Sequence, residues 1–383
     1  MAISAKVLTV LQFTRAALVF TAVADVLAAV LLTTTLPRAG GVAGWGGVNP
    51  AVLVFAVAMS CCLYGFGMAL NDLVDRRRDA LLAATRPLPS GRLGLTTAHW
   101  IVAVLGVMSL VFAGALAGVQ GGRTGTGSFV LAVMTLGLIN FYNLAGKYLV
   151  SAGLLALGAV RLVHAMIAAP ELPVVWHPLW LFTHVVVVSA VAYVWEEKRP
   201  RITPVHAAVL SLGVVAINVG VVAIAIAWKL PTGASLREIP VVLAVSPALA
   251  IPFVSSFAFA VVAWRIGRSV GPANATKSVG ATSVSGAPAP GATSVVGEEP
   301  DVDTLPLPLR TRRRQAGRQL ILAGLLWLIV HDAAFVTGYV GSAEGISLLV
   351  LLPLAYGAVR LMRVWGDLMR LKDRPQFRVA ERL

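Results

Sequence analysis

Long apolar runs separated by short polar clusters recur along the whole chain. Ten of them approach or exceed the roughly 20 residues that a helix needs to cross a bilayer core: 7–32, 51–70, 95–119, 127–143, 148–169, 178–195, 205–228, 240–264, 317–340 and 345–366. Within these runs apolar and polar residues do not alternate, as they would along the strands of a membrane barrel. The pattern predicts an all-α, polytopic membrane bundle of nine to ten transmembrane helices. Residues 1–269 would hold helices 1–8 and two polar loops, 71–92 and 193–204. Residues 270–316 would form a loop with a basic end, 317–366 the last two helices, and 367–383 a basic tail.

The loop stands apart in composition. Residues 270–309 are rich in Gly, Ala, Ser, Thr and Pro and nearly devoid of aromatics. Such a segment cannot bury a core, so it reads as a disordered cytoplasmic loop. Asn274-Ala275-Thr276 matches a glycosylation sequon, on the wrong side of the membrane for use. The basic run Arg310 to Arg318 reads as a juxtamembrane orientation anchor, with a lipid-headgroup site as the alternative.

Composition and charge narrow the class. Of 383 residues, 58% are hydrophobic and 13% charged, against about a quarter charged in soluble domains. A net charge of +14 raises the possibility of nucleic acid. Threading ten helices from a cytoplasmic N-terminus places 25 of the 31 Lys and Arg on the cytoplasmic side and only Arg38, Arg123, Lys229 and Arg237 opposite. Positive-inside orientation accounts for that split, so no nucleic-acid partner is implied. The expected setting is a bacterial cytoplasmic membrane, with the N-terminus and both polar loops inside. Cys61 and Cys62 are adjacent within helix 2 and provide no disulfide framework. The first run is too long for a signal-peptide core and lacks a basic start, so it reads as a retained helix.

One stretch concentrates chemistry. "GMALNDLVDRRRDALLAATRPLPSGRL", Gly67 to Leu93, places acid, base and proline at the end of an apolar helix. At about 100° per residue from Asn71, Asp75 falls near 40°, Asp79 near 80° and Asp72 near 100°, so the four share one face. Stacked carboxylates repel unless a cation sits among them, and hard oxygen donors suit Mg²⁺. The alternative is a solvated helix end, which the macrodipole disfavours for acids at a C-terminus.

Asn71-Asp72-x-x-Asp75-x-x-x-Asp79, followed by "RPLPSGR" (Arg86 to Arg92), resembles the first signature of the UbiA superfamily of intramembrane prenyltransferases. Tyr142-x4-Lys147 after helix 4 and the polar loop after helix 6 extend that resemblance over most of the chain. It implies that Asp72, Asp75 and Asp79 hold Mg²⁺ on the diphosphate of a polyprenyl diphosphate donor, with Asp72 and Asp75 essential to catalysis. Asn71, Arg86, Arg92 and Lys147 would contact the diphosphate. The family's second signature, Asp-x3-Asp after helix 6, is missing. "YVWEEKRPRITP" stands there, with Glu196 as the remaining candidate metal ligand and Lys198 as a candidate diphosphate contact. This departure, with the helix "LLWLIVHDAAFVTGYVG", makes the chain similar to the divergent EboC-type branch.

Ionisable residues inside a membrane mark cavities or partners. At 1.5 Å per residue Arg161 lies about 21 Å and Asp332 about 22 Å from the cytoplasmic ends of their helices, so an Arg161–Asp332 pair is expected. Asp25 lies deeper on helix 1, and Arg15 about 12 Å in, within reach of headgroups or the diphosphate. His164 and His331 read as satisfied core residues, with a general base as the alternative. Trp176, His177 and Trp180 read as an interface group. No zinc spacing and no nucleotide-binding loop is present. The expected activity is Mg²⁺-dependent prenyl transfer to an aromatic or lipid acceptor; the alternative is a non-catalytic protein that binds or moves an isoprenoid diphosphate.

Overall fold

The computed structural model describes residues 2–36, 42–228, 230, 247–268 and 307–372. In chain order the helices are α1 (Ala2–Phe13), α2 (Val19–Thr33), α3 (Pro50–Val74), α4 (Arg76–Leu82), α5 (Leu95–Gln120), α6 (Gly122–Leu144) and α7 (Val150–Met166). They continue as α8 (Trp176–Trp195), α9 (Pro204–Ala227), α10 (Pro247–Arg268), α11 (Leu307–Tyr339), α12 (Ser342–Leu349) and α13 (Leu351–Lys372). No strand occurs among the described residues. Nine helices there are long and apolar enough to cross a membrane, and α7 is a shorter apolar helix. The chain is a multi-pass integral membrane protein of the all-α class.

Three boundaries depart from the sequence reading. The first run is not one helix: α1 stops at Phe13, a 3-10 turn follows at Ala16–Leu18, and only then does α2 begin. The ninth run starts at Leu307, so the basic stretch from Arg310 forms the first turns of α11 instead of ending a loop. The last run is split at Val350, where Pro353 has no N–H to offer the carbonyl of Leu349. The expected disordered segment, 270–306, and the tail from 373 onward lie outside the described residues.

Helix starts follow local chemistry. Asn49 Oδ1 accepts the Ala51 N–H at 2.9 Å ahead of Pro50, and Thr203 forms a capping box with His206 ahead of Pro204; both are standard N-terminal devices. Burial then sorts the bundle. The span carrying α2 is 67% buried and the span of α9 only 11%, so α2 is central and α9 peripheral. Around α2 lie α3, α7, α11 and α13. One core joins Val26, Val30, Met59, Leu63, Leu116 and Ile167, and a second joins Leu162, Leu179, Phe182 and Val186. Gly158 permits the close approach of α7 and α8: a Cβ there would lie 2.4 Å from Val186 Cγ2.

Candidate functional site

Two irregular segments converge at the end of α3. The first is the break between α1 and α2, where Arg15 adopts a left-handed conformation with φ 48° and ψ 40°. That conformation costs a non-glycine residue about 1–2 kcal/mol, and such residues cluster at functional sites. The second is the segment after α4. Turns close from Arg86 N–H to Ala83 O, from Ser90 N–H to Arg86 O and from Leu93 N–H to Pro87 O, and Gly91 takes φ +73°. Leu88 and Leu93 pack on Phe13, Leu73 and Ala98. This small apolar anchor pins both segments together; of the arginines that flank it, Arg86 turns back toward α3 and Arg92 toward Gln12 of α1.

They meet around a cavity of about 420 Å³ whose charged and amide lining is Gln12, Arg15, Asp72, Arg86, Arg92 and, from α13, Arg363 and Asp367. Arg15 Nη2 donates to Asp72 Oδ1 at 2.6 Å. Arg86 Nη1 lies 3.5 Å from the same oxygen and 2.5 Å from Asp79 Oδ2. Arg92 donates to Gln12 Oε1 at 2.9 Å, Thr85 O at 2.6 Å and Ser90 Oγ at 3.1 Å. Asp72 and Asp79 are buried, whereas Arg15 and Arg86 are half-exposed. Burial by itself would lower the pKa of Arg15, but the adjacent Asp72 outweighs it and leaves Arg15 above its ordinary value. The guanidinium is a permanent cation.

The aspartate face persists through the helix break, because Asp75 N–H still reaches Asn71 O at 2.9 Å and Asp79 N–H reaches Asp75 O at 2.8 Å. It does not gather all three carboxylates. Asp75 turns aside to Lys147 Nζ at 2.6 Å, and neither lines the cavity. Tyr142 is an electrostatic neighbour of Asp75 and Arg15. Among the described residues no three acidic, His or Cys side chains are grouped to hold a metal ion. Yet Arg86 Nη1, in contact with both Asp72 and Asp79, marks a seat for positive charge that two hard carboxylates share. Two such donors, completed by phosphate oxygens and water, fit the way Mg²⁺ is usually bound. Of the three expected carboxylates, Asp72 and Asp79 meet at Arg86, while Asp75 is held apart by Lys147.

Glu196 and Lys198 are also placed elsewhere. They pair with each other at 2.9 Å; Lys198 lies over the Tyr193 ring, and Gly317 of α11 packs beside Glu196. Neither lines the cavity. Arg363 and Gln12 are lining residues that sequence reasoning missed. Arg363 reads there as one more positive-inside residue of the tail, and no spacing signal links it to residue 72.

Deeper in the bundle lies a second polar layer. Arg161 donates to Asp25 Oδ2 and Thr21 Oγ1, each at 2.7 Å, and His164 Nδ1 is 3.1 Å from Asp25 Oδ2. The expected Arg161–Asp332 ion pair is replaced: Asp25 on central α2 stands between α7 and α11, while Asp332 pairs with His177 at 2.7 Å. His177 is thus fully buried, not an interface residue. His164 Nε2 also meets Ser60 Oγ at 2.9 Å. His331 lies between Ser255 Oγ at 3.0 Å and His184 Nδ1 at 3.2 Å. Both histidines are partnered, as the core reading anticipates.

No protein-family model matches the sequence, and comparison with curated proteins gives no match. A solved structure, reported in a study of digeranylgeranylglyceryl phosphate synthase in membranes, aligns with 88% of this chain and 99% of its own at 14% identity, with a TM-score of 0.47.

Proposed function

We propose that the chain is a membrane prenyltransferase whose cavity at the end of α3 holds the diphosphate of an isoprenoid donor. One observation carries this reading. Three guanidiniums, from Arg15, Arg86 and Arg92, converge with Asp72 on one cavity at the edge of an apolar bundle, and Asp79 holds Arg86 from behind it. A polyanionic head on a long apolar tail is the ligand chemistry that matches both halves. The motif Asn71-Asp72-x-x-Asp75-x-x-x-Asp79 with Arg86 and Arg92 supports the same substrate through its resemblance to the UbiA first signature.

In the proposed reaction the allylic C1–O bond breaks and its electron pair leaves with the diphosphate. An electron-rich aromatic carbon or a lipid hydroxyl then attacks C1 and loses a proton. Arginines already oriented by carboxylates meet the charge that grows on the leaving oxygen without reorganising, which lowers the barrier. Asp72 orients Arg15 and Arg86, and Asp79 holds Arg86 from the other side. Bound Mg²⁺ would neutralise phosphate oxygens, and Asp72 and Asp79 would hold it. Asp75 is proposed to act indirectly, by fixing Lys147 beside the site. Asn71, one turn before Asp75, supports that turn through its carbonyl.

The test is turnover. Purified protein in lipid, given Mg²⁺, labelled polyprenyl diphosphate and pooled aromatic and lipid acceptors, is expected to release diphosphate only when acceptor is present. Asp72→Ala and Arg86→Ala are expected to slow release by about 10²–10³-fold, the scale of losing a preorganised electrostatic element. Tight binding without release across the acceptor panel would instead support binding or transport.

A further inference from the structure

Four guanidiniums line the cavity, and three are held by the protein. Arg15 and Arg86 are tied to Asp72 and Asp79, and Arg92 to Gln12, Ser90 and the Thr85 carbonyl. Arg363 faces the same cavity from α13 and has no ion pair or hydrogen bond among the described residues. Its place is set by packing, since α13 lies against the Ala16–Leu18 turn and α2. Gly366 sits beside Gln12, and a Cβ there would be 3.8 Å from Gln12 Nε2. The helix that presents Arg363 is therefore packed against the same break that aims Arg15. The lining holds two carboxylates, Asp72 and, one turn beyond Arg363, Asp367, against four guanidiniums, so the excess of positive charge still favours an anion that enters the cavity.

Burial orders the cavity by depth. Asp72 is 5% exposed, Arg15 and Arg86 are half-exposed, and Arg363 is exposed at the mouth. An amphiphile whose tail runs into the bundle must put the phosphate next to the tail at the deep end and a second phosphate at the mouth. We infer that Arg363 binds the outer phosphate of a diphosphate held in this cavity, making α13 the wall that selects isoprenoid diphosphates over monophosphates. This rests on the prenyltransferase reading above. Arg363 contributes a charge-assisted, geometrically specific contact of the kind guanidinium makes with phosphate.

The experiment compares equilibrium binding of farnesyl diphosphate and farnesyl monophosphate, with Mg²⁺, to full-length protein in phosphatidylcholine nanodiscs. Arg363→Gln is expected to weaken the diphosphate about 10-fold, as loss of one hydrogen bond to a charged group would, and to leave the monophosphate unchanged. Arg363→Lys, which retains charge but not the fork, should fall between. Arg86→Ala should weaken both ligands. Equal losses for both ligands in Arg363→Gln, or no loss while Arg86→Ala is defective, would overturn the role of Arg363 and leave the wider reading standing. If wild-type protein binds neither ligand, the prenyl-diphosphate reading itself fails. Nanodiscs doped with phosphatidic acid separate the two sources of phosphate. Arg363-dependent competition by that lipid would make a headgroup the occupant and overturn the assignment.

Discussion

Replacing Asp25 with alanine tests the deep polar layer with a calculable consequence. Its carboxylate is fully buried and accepts from Arg161 at 2.7 Å, with His164 at 3.1 Å. The Arg161 side chain is only 12% exposed, so water cannot replace the lost partner. A buried charge left without its counter-ion costs about 3–5 kcal/mol, and Asp25→Ala should destabilise by that amount. Replacing both members by apolar groups removes the unpaired charge, so the double variant Asp25→Ala, Arg161→Met should recover much of the loss. The assay is a double-mutant cycle by reversible unfolding in mixed micelles, with an expected coupling of about 2 kcal/mol or more, within the range for contacting residues. A cost for Asp25→Ala below about 1 kcal/mol, or effects additive within about 0.5 kcal/mol, would refute the argument.

Other consequences can be measured separately. Asp72→Ala should lower turnover by about 10²–10³-fold, the scale of losing a preorganised electrostatic element, and Asp75→Ala should cost less because Asp75 lies outside the cavity; single-turnover diphosphate release ranks them, and the reverse order would count against the geometry. Mg²⁺ should strengthen isoprenyl diphosphate binding in wild-type protein and in Glu196→Ala, and the gain should disappear in Asp79→Ala. A titration in which Glu196→Ala also loses the gain would return Glu196 to the metal site. Gly158→Leu should destabilise by at least about 1–3 kcal/mol through overpacking between α7 and α8, since even a Cβ would lie 2.4 Å from Val186; unchanged unfolding would mean that those helices part easily.

How much of this was legible beforehand follows from what a linear pattern carries. Apolar runs locate the spans because a bilayer demands length and composition, and all ten runs correspond to apolar helices among the described residues. The aspartate face at the end of α3 could be read because positions 71–79 lie on one continuous stretch, where helical period alone aligns them. The break at Arg15 was hidden by its apolar surroundings, since nothing in "FTRAALVF" forbids a continuous helix. Period places Asp75 on the face, but its partner Lys147 sits 72 residues away and draws it aside. Asp25 outcompetes Asp332 for Arg161 because α2 is central, a fact that depth along separate helices cannot reveal. Arg363 required tertiary packing of α13 on α2, with no trace in sequence spacing.

The most direct measurement is a structure of the protein bound to a non-ionisable thio-analogue of an isoprenyl diphosphate. The account predicts the diphosphate in the cavity within hydrogen-bond distance of Arg15 and Arg86, the outer phosphate toward Arg363, and the tail among the bundle helices. A diphosphate bound elsewhere, or a cavity filled by side chains while the ligand occupies another site, would contradict it.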